Sequence, residues 1–384
     1  MALAMYILGQ IIGVLAAFGC LYWLLAAWLV GRFGSRTTAA HLQSPSVTIL
    51  KPLHGDEPQL AANLLSFARQ DYAGPIQIIF GVQSPADAAI PDVRALIDAL
   101  PGQDLSLVLN AQRHGSNPKV SNLINMMLQA KGEVIVLADS DIVVEPDYVT
   151  RVVGELQNPG VGAVSCAYRG GSLGTMWSRL AVLAIDSHFL PNVVVGLAGK
   201  LATPCFGATI ALRRETLDKL GGFEAFADAL ADDYAIGRGV RRLGLQVAVP
   251  GFLVTHICAD GTFGDLLKHE IRWAKTIATV DKTGFIGTGL THIIPLALIA
   301  FLLTGGSEWS GTLLAASLAC RYLLLWSVSR RFDLKDVAFW LLVLRDGLSF
   351  FVYLASFLPS AVHWKGKSFL VKTDGSMIAR HESD

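Results

Sequence analysis

Cysteine is scarce and scattered in this chain: Cys20, Cys166, Cys205, Cys258 and Cys320, with no Cys-x-x-Cys pair. That pattern excludes a zinc ribbon or a disulfide framework and suits a reducing compartment. Charge of one sign is also missing. Lys plus Arg number 31 against 31 Asp plus Glu, and charged residues make up only 16% of the chain. With no basic excess and no basic run, nucleic acid is not an expected partner. Walker A, Gly-x-Gly-x-x-Gly and His-Glu-x-x-His sequences are absent, which removes the simplest nucleotide-triphosphate, dinucleotide and metalloprotease readings. Repeats and low-complexity tracts are absent too.

Apolar residues are abundant instead, at 52% of 384, and the mean hydropathy of +0.48 is too high for a wholly soluble protein. Tyr6 to Val30 is uncharged and long enough to cross a bilayer of roughly 30 Å as a helix. A cleaved signal peptide is the alternative, but the basic start is missing and the run is too long. Arg32 and Arg36 follow it directly, so the positive-inside rule places the next segment in the cytoplasm. Near the other end Leu290–Thr304, Thr312–Val328 and Val337–Leu358 are further membrane candidates. The loop from Gly305 to Gly311 has no Lys or Arg and suits the outside, whereas Arg330, Arg331 and Lys335 suit the inside. A full third crossing would leave Lys365, Lys367 and Lys372 outside. The segment Val337–Leu358 is therefore expected to dip in and return, with Arg345 and Asp346 paired at its turn or inside protein. Thr175 to Leu201 is apolar but carries Arg179, Asp186, His188 and Pro191. It reads either as a helix in the membrane interface or as a buried helix pair of the soluble domain.

Between about Ser46 and Val254 short apolar runs alternate with amphipathic ones. Val47–Leu50, Ile76–Phe80, Leu105–Leu109 and Val134–Ala138 read as strands. Leu60–Arg69, Val93–Leu100 and Val120–Ala130 read as helices, the last opened by Ser116 as cap and Pro118 in its first turn. This order predicts an α/β domain with a doubly wound, mostly parallel sheet. The expected division is a helix over 1–31, an α/β domain over 46–275 (with 175–201 as the interfacial helix), membrane segments over 286–360 and a cytoplasmic tail over 361–384.

Ligands of such sheets collect at the carboxyl edge, and four clusters fall there or near it. Lys51-Pro52-Leu53-His54-Gly55-Asp56 follows the first strand, and Gly81 to Asp87 follows the second, where Asp87 can accept from a base N–H. Both also fit ordinary polar loops. Asp139-Ser140-Asp141 ends the most apolar strand, and two carboxylates so spaced can hold a divalent cation, Mg2+ or Mn2+, against a diphosphate. Lys119 at a helix start adds positive potential, unless it is a plain surface lysine. Asp232-Asp233 offers a carboxylate base tuned by its neighbour, or simply acidic residues at a helix start. His269, Arg272 and Trp273 share one helical face, suited to clamping a phosphate and walling a sugar, or to anchoring at a membrane interface. Gly170-Gly171-Ser172-Leu173-Gly174 has the letters of a nucleophile elbow but no marked acid or histidine partners, so a glycine connector is the expected reading. His256, after Phe252-Leu253-Val254, is expected to be structural, although it can reach a metal or diphosphate.

Five pieces then occur in one order: Lys51-Pro52-Leu53-His54-Gly55, Asn117 to Leu123, Asp139-Ser140-Asp141, Asp232-Asp233-Tyr234 and Arg272-Trp273. Together the set resembles ceramide glucosyltransferase-like enzymes, membrane GT-A glycosyltransferases that invert, over residues 46 to 275 and the flanking apolar segments. Phe80-Gly81-Val82-Gln83, the run from Cys205 to Leu217 and His269 to Ala274 look most like the hopanoid-biosynthesis branch. The resemblance implies a GT-A fold fused to transmembrane helices, and transfer of N-acetylglucosamine from its UDP-sugar to bacteriohopanetetrol in a bacterial inner membrane, catalytic domain inward. Ceramide as acceptor, with UDP-glucose as donor, is the alternative. Carried over by position, Asp87 is the uridine-side aspartate with Asp92 as fallback. Asp139 and Asp141 hold the metal, Asp233 is the base, and Gly207 lies close to the donor sugar. Lys51, Lys119, His269, Arg272 and Trp273 are further substrate contacts, His269 standing where the signature has Gln or Arg. A processive polysaccharide synthase, a polyprenyl-phosphate glycosyltransferase and a non-enzymatic membrane sensor remain as rivals.

Overall fold

A computed structural model describes residues 2–34, 43–201, 204–358, 362–364, 367–371 and 377–379. The expectations resting on Arg36, Lys365 and Lys372 lie outside the described residues. The chain divides into two compact units. One comprises Met1–Phe33, Ser172–Ala202 and Asp260–Val362; the other comprises Gly34–Gly171, Thr203–Ala259 and His363–Asp384.

In the apolar unit, α1 (Ala2–Arg32) packs along two later helices, numbered below as α12 and α13. Gly9, Gly13 and Gly19 face those neighbours so closely that a Cβ would meet Thr304, Trp309 and the Leu290 carbonyl at 2.8, 2.3 and 2.2 Å. Small residues that admit a second backbone are how apolar helices pack without a hydrophobic drive between them. Ile11, Phe18, Leu21 and Trp28 stay exposed on the outer side of α1.

Strand-bearing residues begin at β1 (Val47–Pro52), followed by α2 (Leu60–Ala68), β2 (Ile76–Val82), α3 (Ile90–Ala99), β3 (Asp104–Leu109), α4 (Pro118–Met127), β4 (Val134–Leu137), β5 (Ile142–Val143), α5 (Tyr148–Leu156), β6 (Val161–Ser165) and β7 (Tyr168–Ser172). The helices α6 (Met176–Ala184) and α7 (Leu190–Ala198) come next, then β8 (Ile210–Arg213), α8 (Arg214–Lys219), α9 (Asp232–Arg242), β9 (Gln246–Ala248) and β10 (Val254–Cys258). The main sheet runs β3-β2-β1-β4-β8-β6-β9, and a smaller one runs β5-β10-β7. β1 is parallel to β2 and β4, and β2 to β3, while β8 is antiparallel to both its neighbours. Both faces are covered. Ile49, Phe80 and Val136 join Phe67, Val93 and Val152 on one side, while Leu50, Ile79 and Leu137 join Leu123, Ile236 and Val240 on the other. Each such side chain contributes about 1.5–3 kcal/mol relative to exposure, which is why these strands read as unbroken apolar runs. The chain leaves β1 toward β2 and β3 and returns on the other side as β4, so a crevice opens at the carboxyl ends of β1 and β4.

The remaining helices are α10 (Phe263–Val280), α11 (Lys282–Gly287), α12 (Ile293–Leu303), α13 (Glu308–Phe332) and α14 (Leu342–Ser356); three short strands, β11 (Val362–Trp364), β12 (Lys367–Val371) and β13 (Met377–Ala379), follow. Leu3–Arg32, Met176–Ala198, Glu308–Phe332 and Phe339–Ser356 are each long and apolar enough to cross a membrane. Three sequence expectations change here. The helix over Met176–Ala198, interrupted by a π-helical turn at Ile185–Phe189, packs against α1 within the apolar unit, not as a helix pair of the α/β domain. The segment Phe339–Ser356 runs through Arg345 and Asp346 without the turn that a dip requires. The sharp bend, 61°, lies earlier, between Lys282–Thr291 and Ile293–Leu303. Nor do Arg345 and Asp346 pair with each other, because neighbouring helical positions point apart. Asp346 receives two bonds from Arg321, at 2.7 and 2.8 Å, and Arg345 forks onto Glu270.

Candidate functional site

The crevice is assembled by polar residues that tie loops together. Asn117, not Ser116, caps α4: its side chain accepts from the backbone N–H of Lys119 and Val120 at 2.9 and 3.1 Å. Pro118 occupies the first helical position, so the cap falls on the residue immediately before it. The same Asn117 donates to the Ala229 carbonyl at 2.8 Å, and Ser116 N–H donates to Asp228 at the same distance. These bonds hold the start of α4 against the segment that leads into α9. Lys119 and the Asp232-Asp233 pair, distant in sequence, thereby become neighbours.

Lys119 Nζ lies 2.7 Å from Asp139 Oδ1 and 3.4 Å from Asp232 Oδ2. Burial alone would lower the pKa of this ammonium, but the charges of Asp139 and Asp232 outweigh it and raise it. Lys119 is a fixed positive charge here, not a solvated surface lysine. Gly207 N–H donates to Asp233 Oδ2 at 3.1 Å, and Tyr234 N–H donates to Asp233 Oδ1 at 2.7 Å. The Asp233 carboxyl is pushed up from 3.8 to about 6, by burial first and by the Asp232 charge second. A Cβ at Gly207 would meet Asp139 Oδ2 at 2.8 Å and Lys119 Nζ at 3.2 Å, so only a glycine lets backbone pass there.

Asp139 and Asp141 both stand at the carboxyl end of β4 with partly open side chains. Asp141 Oδ2 lies 3.7 Å from His256 Nε2 on β10, and the Asn63 amide holds the turn through the Ser140 carbonyl at 3.2 Å. Oxygen donors of this kind suit Mg2+ or Mn2+. Among the described residues no group of three or more His, Cys, Asp or Glu forms a metal cage. Two carboxylates fit a cation that completes its shell with phosphate oxygens and water.

Asp87 is almost fully buried and accepts from Gly55 N–H and Ala89 N–H, both at 3.0 Å. It joins the loop after β2 to the loop after β1, and His54 lies 3.7 Å away. Asp92 sits instead in the first turn of α3. Lys51 corrects an expectation. Its side chain is fully buried, with Nζ donating to the Asp139 carbonyl and lying 3.8 Å from the centre of the Phe67 ring. Desolvation lowers its pKa to about 7. Lys51 therefore props the Asp139 turn from beneath and is no substrate contact. Ser172 bonds to Ser178 Oγ at 3.1 Å and accepts from Gly174 N–H at 3.0 Å, as a connector does and a nucleophile does not.

Tyr168 on β7 was not singled out by sequence. Its hydroxyl pKa is raised by burial and then by the charges of Asp233, Asp141 and Asp139, and its ring packs 5.6 Å from His256. An aromatic residue in a short strand carries no distinguishing pattern, so nothing in the sequence marked it. His269, Arg272 and Trp273 lie on α10, in the apolar unit. The His269 and Trp273 rings meet edge to face at 4.3 Å.

Residues 11–377 match glycosyl transferase family 21. The chain belongs to this family. Three relatives, two animal and one bacterial, are similar to it. Ceramide glucosyltransferase 3 of Caenorhabditis elegans is 22% identical over 87% of this chain and 74% of that protein. An N-acetylglucosaminyltransferase of Bradyrhizobium diazoefficiens is 25% identical over 73% and 63%. Ceramide glucosyltransferase 1 of C. elegans, 24% identical, is matched over 60% of this chain and 49% of its own length, so the chain spans about half of that relative. Among solved structures, the Pyrobaculum calidifontis mannosyltransferase PcManGT, in complex with GDP-Man and Mn2+, superposes with a TM-score of 0.50 at 21% identity, covering 91% of this chain and 99% of that one. This likeness shows the expected GT-A fold.

Proposed function

We propose that this family 21 chain transfers a sugar from a UDP-sugar to the hydroxyl of a membrane lipid, inverting the anomeric carbon. The observation that carries the reading is Asp233, a carboxyl lifted to about 6 and aimed by Gly207 N–H beside the Asp139–Lys119 pair. A neutral hydroxyl must lose its proton as it attacks, and a carboxylate with a pKa near the working pH is a suitable base. Asp233 takes that proton on an oxygen already oriented by a backbone N–H, which limits its rotation. Asp87 receives the uridine side. Lys119 supplies fixed positive charge at the diphosphate, and Tyr168 narrows the crevice near the carboxylates. A divalent cation held by Asp139 and Asp141 would supply further charge neutralisation for the leaving diphosphate. Arg272, Trp273 and His269 take the leaving-group and acceptor roles that the resemblance implies.

The donor is UDP-N-acetylglucosamine and the acceptor bacteriohopanetetrol, supported by the hopanoid-branch stretches and by N-acetylglucosaminyltransferase relatives. The setting is a bacterial inner membrane, multi-pass, with the α/β unit in the cytoplasm, supported by helices of spanning length and by Arg32 after the first of them. Ceramide with UDP-glucose is the second reading, favoured by the C. elegans ceramide glucosyltransferase that aligns over 87% of the chain. UDP release by detergent-purified protein, across UDP-sugars with bacteriohopanetetrol and ceramide compared, tests both. Faster turnover on ceramide reverses the choice of acceptor, and no UDP release with any pair removes the enzyme. Cysteine-accessibility labelling of the tail tests the orientation.

A further inference from the structure

The 61° bend between Lys282–Thr291 and Ile293–Leu303 falls at His292, in the apolar unit, and no step of the proposed reaction uses it. A broken helix leaves backbone groups unmet on both sides of the break. On the near side the Thr291 carbonyl accepts from Trp23 Nε1 on α1 at 2.7 Å. On the far side α12 begins, and the N–H groups of Ile293 and Ile294 have no carbonyl one turn back in their own helix. Pro295 follows and has no N–H. His292 is the cap residue of α12, yet its side chain makes no capping bond. It is 5% exposed, and its Nδ1 is buried without a hydrogen-bond partner among the described residues. The ring packs 5.1 Å from Tyr353, 5.5 Å from Phe350 and 6.1 Å from His188. The polar groups of these neighbours are committed elsewhere. His188 lies 3.2 Å from Arg321 and 3.6 Å from Asp346, and the Tyr353 hydroxyl donates to the Ile286 carbonyl at 3.1 Å.

A buried imidazole nitrogen and two backbone donors at one break are costly unless something answers them. An anion is a poor match, because no positive charge is spare: Arg321 is paired with Asp346 and Arg345 with Glu270. A hydroxyl fits. Its oxygen accepts from a backbone N–H, and it can donate to Nδ1 or accept from it, so it suits either tautomer of the ring. Water carries the same O–H group, but the surroundings are apolar. Ile286, Leu290 and Phe357 are exposed around the break, and the Phe357 ring packs 5.1 Å from Tyr353. We propose that this break is a binding site for the hydroxyl of a membrane lipid. The hydroxyl sits between His292 and the start of α12, and the hydrocarbon lies along Ile286, Leu290 and Phe357.

The test is photolabelling of the full-length protein in phosphatidylcholine nanodiscs. The probe is a diazirine-bearing hexadecanol, its control the O-methyl ether of the same alcohol, and labelled peptides are mapped by mass spectrometry. In the wild type the alcohol is expected to label residues 286–292 and 350–357 about fivefold more than the ether, the effect of one hydrogen bond. His292→Phe should bring the alcohol down to the level of the ether. His292→Asn keeps a polar atom near the place of Nδ1 and should stay within about twofold of wild type. Equal labelling by alcohol and ether in the wild type would mean water only at the break and would overturn the proposal. Undiminished alcohol labelling in H292F would overturn it too. If thermal unfolding shows that H292F does not fold, the alcohol-to-ether ratios of wild type and H292N decide by themselves. Labelling needs no UDP-sugar, so a protein that takes the alcohol but transfers no sugar keeps this site and loses only the proposed reaction.

Discussion

The Arg321–Asp346 pair of the apolar unit and the carboxylate cluster of the α/β unit treat charge in opposite ways. In the apolar unit Arg321 and Asp346, both 0% exposed, saturate each other: the guanidinium also donates to the Ser187 carbonyl at 2.8 Å and to Ser187 Oγ at 3.1 Å. His188 completes the group, its ring nitrogens 3.2 and 3.4 Å from the same guanidinium and Nε2 3.6 Å from Asp346 Oδ1, and together they brace α13, α14 and the π-helical turn. In the α/β unit Asp139, Asp232 and Asp233 crowd around Lys119, with more negative than positive charge. Such a surplus is unfavourable by itself and becomes favourable when a cation or a proton arrives. Closed charge of the first kind holds structure, and open charge of the second kind can accept a cation or a proton.

The sharpest way to break that contrast is Asp233→Asn, expected to lower turnover by about 10²–10⁴-fold with thermal stability unchanged or raised. Intact turnover would favour the polyprenyl-phosphate reading, whose acceptor is already an anion. The same carboxyl predicts a pH signature. Its folded-state pKa is raised, so it favours the folded protein below 3.8, and that contribution is lost as the pH rises through about 6. Turnover should rise over the same interval, giving an acid limb near pH 6 in kcat/KM. In the apolar unit the expected pattern is reversed. Arg321→Met leaves Asp346 buried without its guanidinium partner and should cost about 3–5 kcal/mol of stability, read as thermal unfolding in detergent. Arg321→Met with Asp346→Leu should recover most of that loss. Gly207→Ala should cost about 1–3 kcal/mol of stability, measured as thermal unfolding, and lower kcat/KM, since its methyl meets the Asp139 carboxylate. The smallest effect is assigned to Ser172→Ala, within about 0.5 kcal/mol in stability and neutral in turnover. A large loss of turnover there would revive the nucleophile reading.

Much of the α/β unit was legible because a strand covered on both faces must be apolar at every position. Val134 to Leu137 and Ile76 to Phe80 are of that kind, and their ends locate the carboxyl edge. The small sheet of β5, β7 and β10 was not legible. Three of the five residues from Tyr168 to Ser172 are glycine or serine, and the pairing of this strand is decided by partners more than eighty residues away in β10. The cap on α4 was missed by one position, because Ser and Asn are nearly equivalent caps until backbone angles choose between them. Lys51 was misassigned for a related reason: a lysine after a strand has the same letter whether it faces a ligand or lies beneath a turn.

Sequence by itself determined which stretches are apolar on every side, where strands end in carboxylates, and the ordered set that marks the family. Those are properties of neighbours along the chain. Only tertiary structure decided that Lys119 belongs to Asp139 and Asp232, and that Asp346 belongs to Arg321 and Arg345 to Glu270. Charge pairing depends on distance through space and on exclusion of water, and neither is written in the order of residues.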